Sequence, residues 1–329
     1  MLSGDSTSSH ASLVEGVGQY PFCHRRNRHY VTHATALWHR FIPATPVVFV
    51  FLWSSAFVGI RFGLPYAEPF TFLAWRFLLA ASIFLLVAWQ LRSPWPSHLS
   101  AYVHIIFCGV LIHGIYLGGV FEAVYRGVPV GVCALILGTQ PLITAVLVQP
   151  FVGEKVSQRQ WLGFIGGALG VTLVVTEQLD VFGRDLSGMG LCLMSVVAIS
   201  IATVYQKRYC SEMDLGSGAF LQFLAAGILM LLLSLLLESG HVEWSGEFLF
   251  ALSWLVLVVS LGAMTLLWVM VKQNAAVNVA SLFFLVPPLA MIMMWLLFDE
   301  KLGLQAIAGM IIIATSVLLI TRAQVTSVK

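Results

Sequence analysis

Ten uninterrupted apolar runs constrain this chain more than any other feature. Their approximate bounds are 46–63, 69–91, 101–123, 131–152, 159–177, 188–206, 217–238, 249–271, 277–298 and 302–321. Each approaches the ~20 residues that a helix needs to cross a ~30 Å hydrocarbon core. The breaks are short and carry Pro, Gly or charge, as in "GLPYAEP", "RSPWPS" and "ESGHVEWSGE", and none could hold a soluble domain. Only 10% of residues are charged while 59% are hydrophobic, against roughly 25% charged in soluble domains. Spanning β-strands would instead alternate over about ten residues. The expected fold class is therefore an all-α polytopic membrane protein with ten transmembrane helices.

Residues 1–44 differ from the rest. "GDSTSSHAS" is polar, and "HRRNRHYVTHATALWHR" is basic and His-rich; we expect a disordered cytoplasmic tail, with 323–329 as a short cytoplasmic C-terminal tail. With both termini in the cytoplasm, 12 of the 17 Lys and Arg fall on that side and 5 on the other, as the positive-inside rule requires. The five cysteines are scattered, with no CxxC or metal-ligand spacing, so no metal site is expected.

"VGEK" at 152–155 and "FDEK" at 298–301 each close an apolar run, 146 positions apart. The same shift aligns Ser54 with Ser200, Ala56 with Ala202, Arg61 with Lys207, Arg126 with Lys272, Pro141 with Pro287 and Gly163 with Gly309. Leu and Ala matches are cheap in such sequences, but Pro, Glu-Lys and Arg/Lys in one register are not. The expected units are residues 45–177 and 188–322, each with five helices. Five is odd, so the second unit enters the membrane from the opposite side. Inverted repeats of this kind place substrate near the midplane, between the halves.

On these residues the chain resembles the EamA-type transporters of the drug/metabolite transporter superfamily. The matching stretches are "WSSAFVGIRFGL", "AWRFLLAA", "LGTQPLITAVLVQPFVGEKVSQRQWLGFIGGALGV" and "FLVPPLAMIMMWLLFDEKLGLQAIAGMIII", within roughly residues 46–322. The resemblance implies export or exchange of small metabolites. It also implies a central cavity walled by the first, third, fourth, sixth, eighth and ninth segments. The copies differ in places: Gln222 stands opposite Arg76, Ile199 opposite Trp53 and Val286 opposite Gln140.

Several residues are candidates for chemistry. Pro141 and Pro287, inside the fourth and ninth segments, are candidate hinges because each removes a backbone donor; a static kink is the plainer alternative. Gln140 is an amide at mid-depth, a substrate contact or an interhelical hydrogen bond. His113 and Tyr116 share one helical face, and His113 is a candidate for substrate binding or proton coupling. Trp53 with Ser54 in the first segment, and Ser200 with Tyr205 in the sixth, complete the candidate substrate-binding set, although serines also bond back to their own helix. Arg76 is expected to snorkel to the interface. Glu154 and Glu300 are expected to start the helices that follow them. Small residues such as Gly163 and Gly167 are expected to pack helices within one monomer.

The chain has no HExxH, GxSxG or phosphate loop and no pair of intramembrane carboxylates. The expected function is transmembrane transport, as an exporter of neutral or zwitterionic metabolites such as amino acids, in a bacterial inner (plasma) membrane. Multidrug efflux is the alternative, and a non-transporting receptor or scaffold a more distant one. The expected partners are a small-molecule substrate and lipid, with no nucleic acid and no cofactor.

Overall fold

The computed structural model describes residues 45–153, 155–176, 186–274, 276–298 and 303–325. The expected N-terminal tail lies outside the described residues, as do Glu154, Glu300 and Lys301. The described chain is helical, with one isolated antiparallel bridge between Ala67 and Val242. Its helices are α1 (Thr45–Gly63), α2 (Pro69–Gln90), α3 (Leu99–Tyr125), α4 (Val130–Leu137), α5 (Gln140–Val152), α6 (Gln158–Thr176), α7 (Leu186–Tyr209), α8 (Leu215–Leu237), α9 (Gly246–Gln273), α10 (Ala276–Phe298) and α11 (Leu304–Val325). Among the described residues, seven helices are long and apolar enough to cross a membrane: α1, α2, α3, α7, α8, α9 and α10. Helix is the solution lipid demands, because no water is present to satisfy the backbone.

The 146-residue shift reappears in the helix boundaries. α2 begins at Pro69 and α8 at Leu215; α5 spans Gln140–Val152 and the second part of α10 spans Val286–Phe298; α6 begins at Gln158 and α11 at Leu304. Even the π-helical stretches correspond, Val110–Leu117 in α3 and Leu255–Ala263 in α9. The packing follows the same pairing. α2 lies on its counterpart α8, and α6 on α11. α1 packs on α9 and α10, while its counterpart α7 packs on α3 and α5. Glycines allow the closest approaches. A Cβ at Gly109 would lie 2.5 Å from Gln222 Cα, and one at Gly170 2.8 Å from the Gly309 carbonyl oxygen. Gly163, Gly166 and Gly170 of α6 thus pack within the chain against α11, and Gly167 against Phe284 of α10.

The loops at the two ends pair across the repeats. At one end the segment before α2 meets the segment after α8. There Glu243 N donates to Tyr66 O at 2.8 Å, beside the Ala67–Val242 bridge. At the other end Ser217 Oγ at the head of α8 donates to Pro94 O, 2.7 Å away, in the loop after α2. Helix starts are capped locally. Asp214 accepts from Gly216 N and Ser217 N. Ser157 and Gln160 form a reciprocal capping box at α6.

Two expectations change here. The run at 131–152 is two helices, broken at Gly138–Thr139, so Pro141 does not interrupt a helix but stands in the first turn of α5. The cause is the missing proline N–H. The chain tightens instead, with Thr139 N and Thr139 Oγ1 both donating to Ile136 O. Pro287 repeats the device, because a 3₁₀ turn at Leu282–Leu285 precedes it and Val286 N donates to Phe283 O. The second correction is Arg76, which does not snorkel. It is 2% exposed and lies seven residues into α2, roughly 10 Å from the helix start.

Candidate functional site

The two proline-started helices meet at a central cavity. Its walls are Trp53 and Phe57 from α1, Tyr116 from α3, Ala134, Leu137 and Gly138 at the end of α4, Gln140 from α5, Ile199 from α7, and Phe283 and Val286 from α10. Three pairs of these residues are related by the 146-residue shift: Trp53 with Ile199, Leu137 with Phe283, and Gln140 with Val286. Equivalent positions of the two halves thus share one cavity, while its chemistry is one-sided. Its free volume is ≈ 10 Å³, room for about one water.

One wall is aromatic. Trp53 stacks on Tyr116 with centroids 6.5 Å apart, and Phe283 meets Trp53 edge-on at 5.2 Å. The polar contribution is Gln140, whose Nε2 donates to Thr203 Oγ1 at 3.2 Å while its Oε1 has no partner. Thr144, one turn further along α5, is buried with an unpartnered hydroxyl. Unmet polar groups in a membrane interior cost free energy, so they belong where a solute or water can reach them.

Trp53, Tyr116 and Gln140 thus line the cavity together. Ser54 and Ser200 stand just behind it: Ser54 Oγ donates to Val286 O at 3.3 Å, whereas Ser200 Oγ donates chiefly to Val196 O in its own helix at 2.7 Å and only grazes Gln140 O at 3.4 Å. Each serine thus faces the first residue of a proline-started helix in the other half, and Ser54 alone gives it an undivided hydrogen bond. His113 lies to one side, 0% exposed, stacked on Phe223 at 4.1 Å with both ring nitrogens unpartnered. Tyr205 is further off. Its hydroxyl lies 2.6 Å from His104 Nδ1, and its ring packs on Phe107 and Tyr209.

Sequence reasoning missed Phe57, Phe283, Thr203 and the burial of Arg76. Nothing distinguishes two wall phenylalanines among 22 in the chain. Arg76 did carry a signal, since a charge that deep in a span faces the interior by default. Its Nε donates to Ser260 Oγ at 3.0 Å in the π-helical stretch of α9, and its Nη1 has no partner.

A second polar feature joins the repeats at the loop end. The Glu238 carboxylate accepts from Phe70 N, Thr71 N and Thr71 Oγ1, each at 2.7 Å, capping α2. Glu68 returns the exchange, accepting from Ser239 N and Oγ at 2.9 Å and from His241 N at 3.2 Å. Partial burial pushes the Glu68 carboxyl up, but the hydrogen bonds from Ser239, His241 and Gly240 outweigh it and hold the group below its ordinary 4.5. Basic side chains cap helix ends: Lys207 Nζ donates to Val271 O and Asn274 O, and Arg208 to Phe151 O.

Known proteins match this chain over most of its length. The EamA-like transporter family matches residues 20–176 and again 186–322. A Bacillus subtilis protein named uncharacterized transporter YvbV is 27% identical over 282 residues, covering 82% of this chain and 88% of its own. An Escherichia coli K12 protein named as a probable amino-acid metabolite efflux pump is 24% identical, covering 80% of this chain and 89% of its own. A solved crystal structure superposes with a TM-score of 0.69 at 17% identity, covering 85% of this chain and 97% of that one, a likeness of fold.

Proposed function

The chain belongs to the EamA-like transporter family, and from that premise we propose that it exports small neutral or zwitterionic metabolites, such as amino acids, by alternating access. The observation that carries this reading is the cavity walled by repeat-related pairs, with an unpartnered amide oxygen at Gln140 and an aromatic face opposite. An ammonium group has an acceptor there in Gln140 Oε1 and π faces in Trp53, Tyr116 and Phe283. With room for one water, the cavity admits such a solute only when the repeats part.

We read the fold as ten spans in two inverted repeats, α4 and α5 together forming the fourth. Two observations support this: the recurrence of helix boundaries, and the meeting of the loop after α1 with the loop after α8 rather than with its own repeat equivalent. Both termini then face the cytoplasm of a bacterial inner membrane, with Lys207 and Arg208 on that side. Pro141 and Pro287 are the hinges. Each starts a helix after a tightened turn, so rotation there breaks no regular α-helical bond. Coupling to protons would run through His113, and the protein works as a monomer. The name of the Escherichia coli relative supports the amino-acid class.

The test is counterflow of labelled neutral amino acids into proteoliposomes, with and without a pH gradient. Flux of at least one, reduced by Gln140→Val, is the expected result; no flux of any solute in the panel would refute the reading. A gradient effect lost in His113→Gln would establish proton coupling. The aromatic wall also suits apolar drugs, and a drug-resistance screen in expressing cells separates that alternative.

A further inference from the structure

We propose that Arg76 is the binding residue for a carboxylate on the transported solute, which makes the substrate a carboxylate-bearing small molecule. The inference rests on the transporter reading above and narrows it.

Arg76 is buried between α2, α3 and α9. Ser260 Oγ takes its Nε at 3.0 Å, the guanidinium stands 5.6 Å from the Phe77 ring centroid, and Nη1 donates to nothing. The Phe77 ring packs on His113 of α3 at 5.5 Å, and His113 supplies no negative charge. Among the described residues the one side-chain ion pair is Glu122 with Arg126, at the end of α3. A buried guanidinium without a counter-ion is strongly unfavourable. The fold nevertheless holds it in place through Ser260, with one edge left open.

α3 connects this cation to the cavity: the Phe77 ring that Arg76 stands over packs on His113 at 5.5 Å, and Tyr116, one turn along α3, belongs to the cavity wall. One fixed positive charge matches a monoanion, and the planar fork of Arg matches carboxylate geometry. A phosphate dianion would keep an uncompensated charge. The solute's other end meets Gln140 Oε1, also unpartnered. The repeat equivalent of Arg76 is the neutral Gln222, so the anchor exists in one half alone.

The experiment is a thermal-shift and tryptophan-fluorescence titration of the purified full chain. The ligands are L-amino acids, each paired with its uncharged-terminus amide, such as L-leucine with L-leucinamide and L-phenylalanine with L-phenylalaninamide. At least one acid should bind wild type, with its amide about tenfold or more weaker. Arg76→Gln should weaken the acid about tenfold to a hundredfold and leave the amide unchanged, and Arg76→Lys should restore part of the loss. Equal binding of acid and amide to wild type, unchanged acid binding in Arg76→Gln, or no acid binding at all would each overturn the proposal. If Arg76→Gln fails to fold, the acid–amide comparison on wild type and Arg76→Lys decides. Proteoliposome flux separates the two readings: acids that bind without being carried sink the transporter reading and spare the site, whereas amides carried as fast as acids sink the site and spare the transporter.

Discussion

Arg76 in α2 and Gln222 in α8 occupy equivalent positions, seven residues into helices that pack on one another. Both are buried, at 2% and 0% exposure. Gln222 is absorbed into a neutral network: its Nε2 donates to Gln206 Oε1 at 3.2 Å and approaches Met213 Sδ at 3.7 Å, while the Cys108 thiol donates to the same Gln206 oxygen at 2.9 Å. Arg76 has one serine and no anion. The backbone repeats while the charge does not.

Making the repeats alike should break this difference, and the largest effect comes from Gln222→Arg. A second guanidinium without a counter-ion should destabilise by about 3–5 kcal/mol, read as loss of monodisperse protein or a steep fall in Tm. A variant as stable as wild type would mean that the Gln222 site tolerates charge as the Arg76 site does. Next is Gln140→Val, which copies Val286 into the first repeat. Flux should fall about tenfold, with Tm changed by no more than about 1 kcal/mol in stability; unchanged flux would remove Gln140 from the solute path.

Ser54→Ala and Ser200→Ala sharpen the symmetric side of the comparison. Ser54→Ala removes a cross-repeat hydrogen bond and should cost about 0.5–1 kcal/mol in thermal or denaturant unfolding, whereas the Ser200 hydroxyl is donated chiefly to Val196 O in its own helix, so Ser200→Ala should cost less. Equal costs would show that the long contact of Ser200 with Gln140 O holds its helix as firmly as Ser54 holds the other. The smallest effect is the acid dependence of Glu68. Its carboxyl sits below the ordinary 4.5 in the folded chain, so its contribution is complete above that value and is lost as pH falls through the folded value. Tm should decline more steeply below pH 4.5 in wild type than in Glu68→Gln, and parallel declines would show that the Glu68 contacts add nothing.

The helical membrane class, the repeat and half of the cavity were legible in the sequence. Trp53, Tyr116 and Gln140 announced themselves because aromatic and amide groups at mid-depth are costly to leave against lipid. The break at Gly138–Thr139 was harder to read, since Pro141 signals a disturbance without saying whether the helix bends or ends. Ser54 and Ser200 were visible as repeat partners, but not that each reaches the carbonyl of a proline-started helix from the other half.

The sequence by itself determined the solvent and the repeat. Runs of about 20 apolar residues place helices in lipid, and a register that aligns proline, glycine and basic residues over 146 positions is a property of the chain alone. Tertiary structure decided what the polar residues do. Whether Arg76 reaches the interface or is enclosed depends on α3, α8 and α9 closing around it. The face that Gln140 presents depends on α1, α7 and α10 meeting α5 across a seam between segments distant in sequence. Local pattern fixes which groups are expensive to bury; only the packing of the two repeats decides which of them are left without a partner.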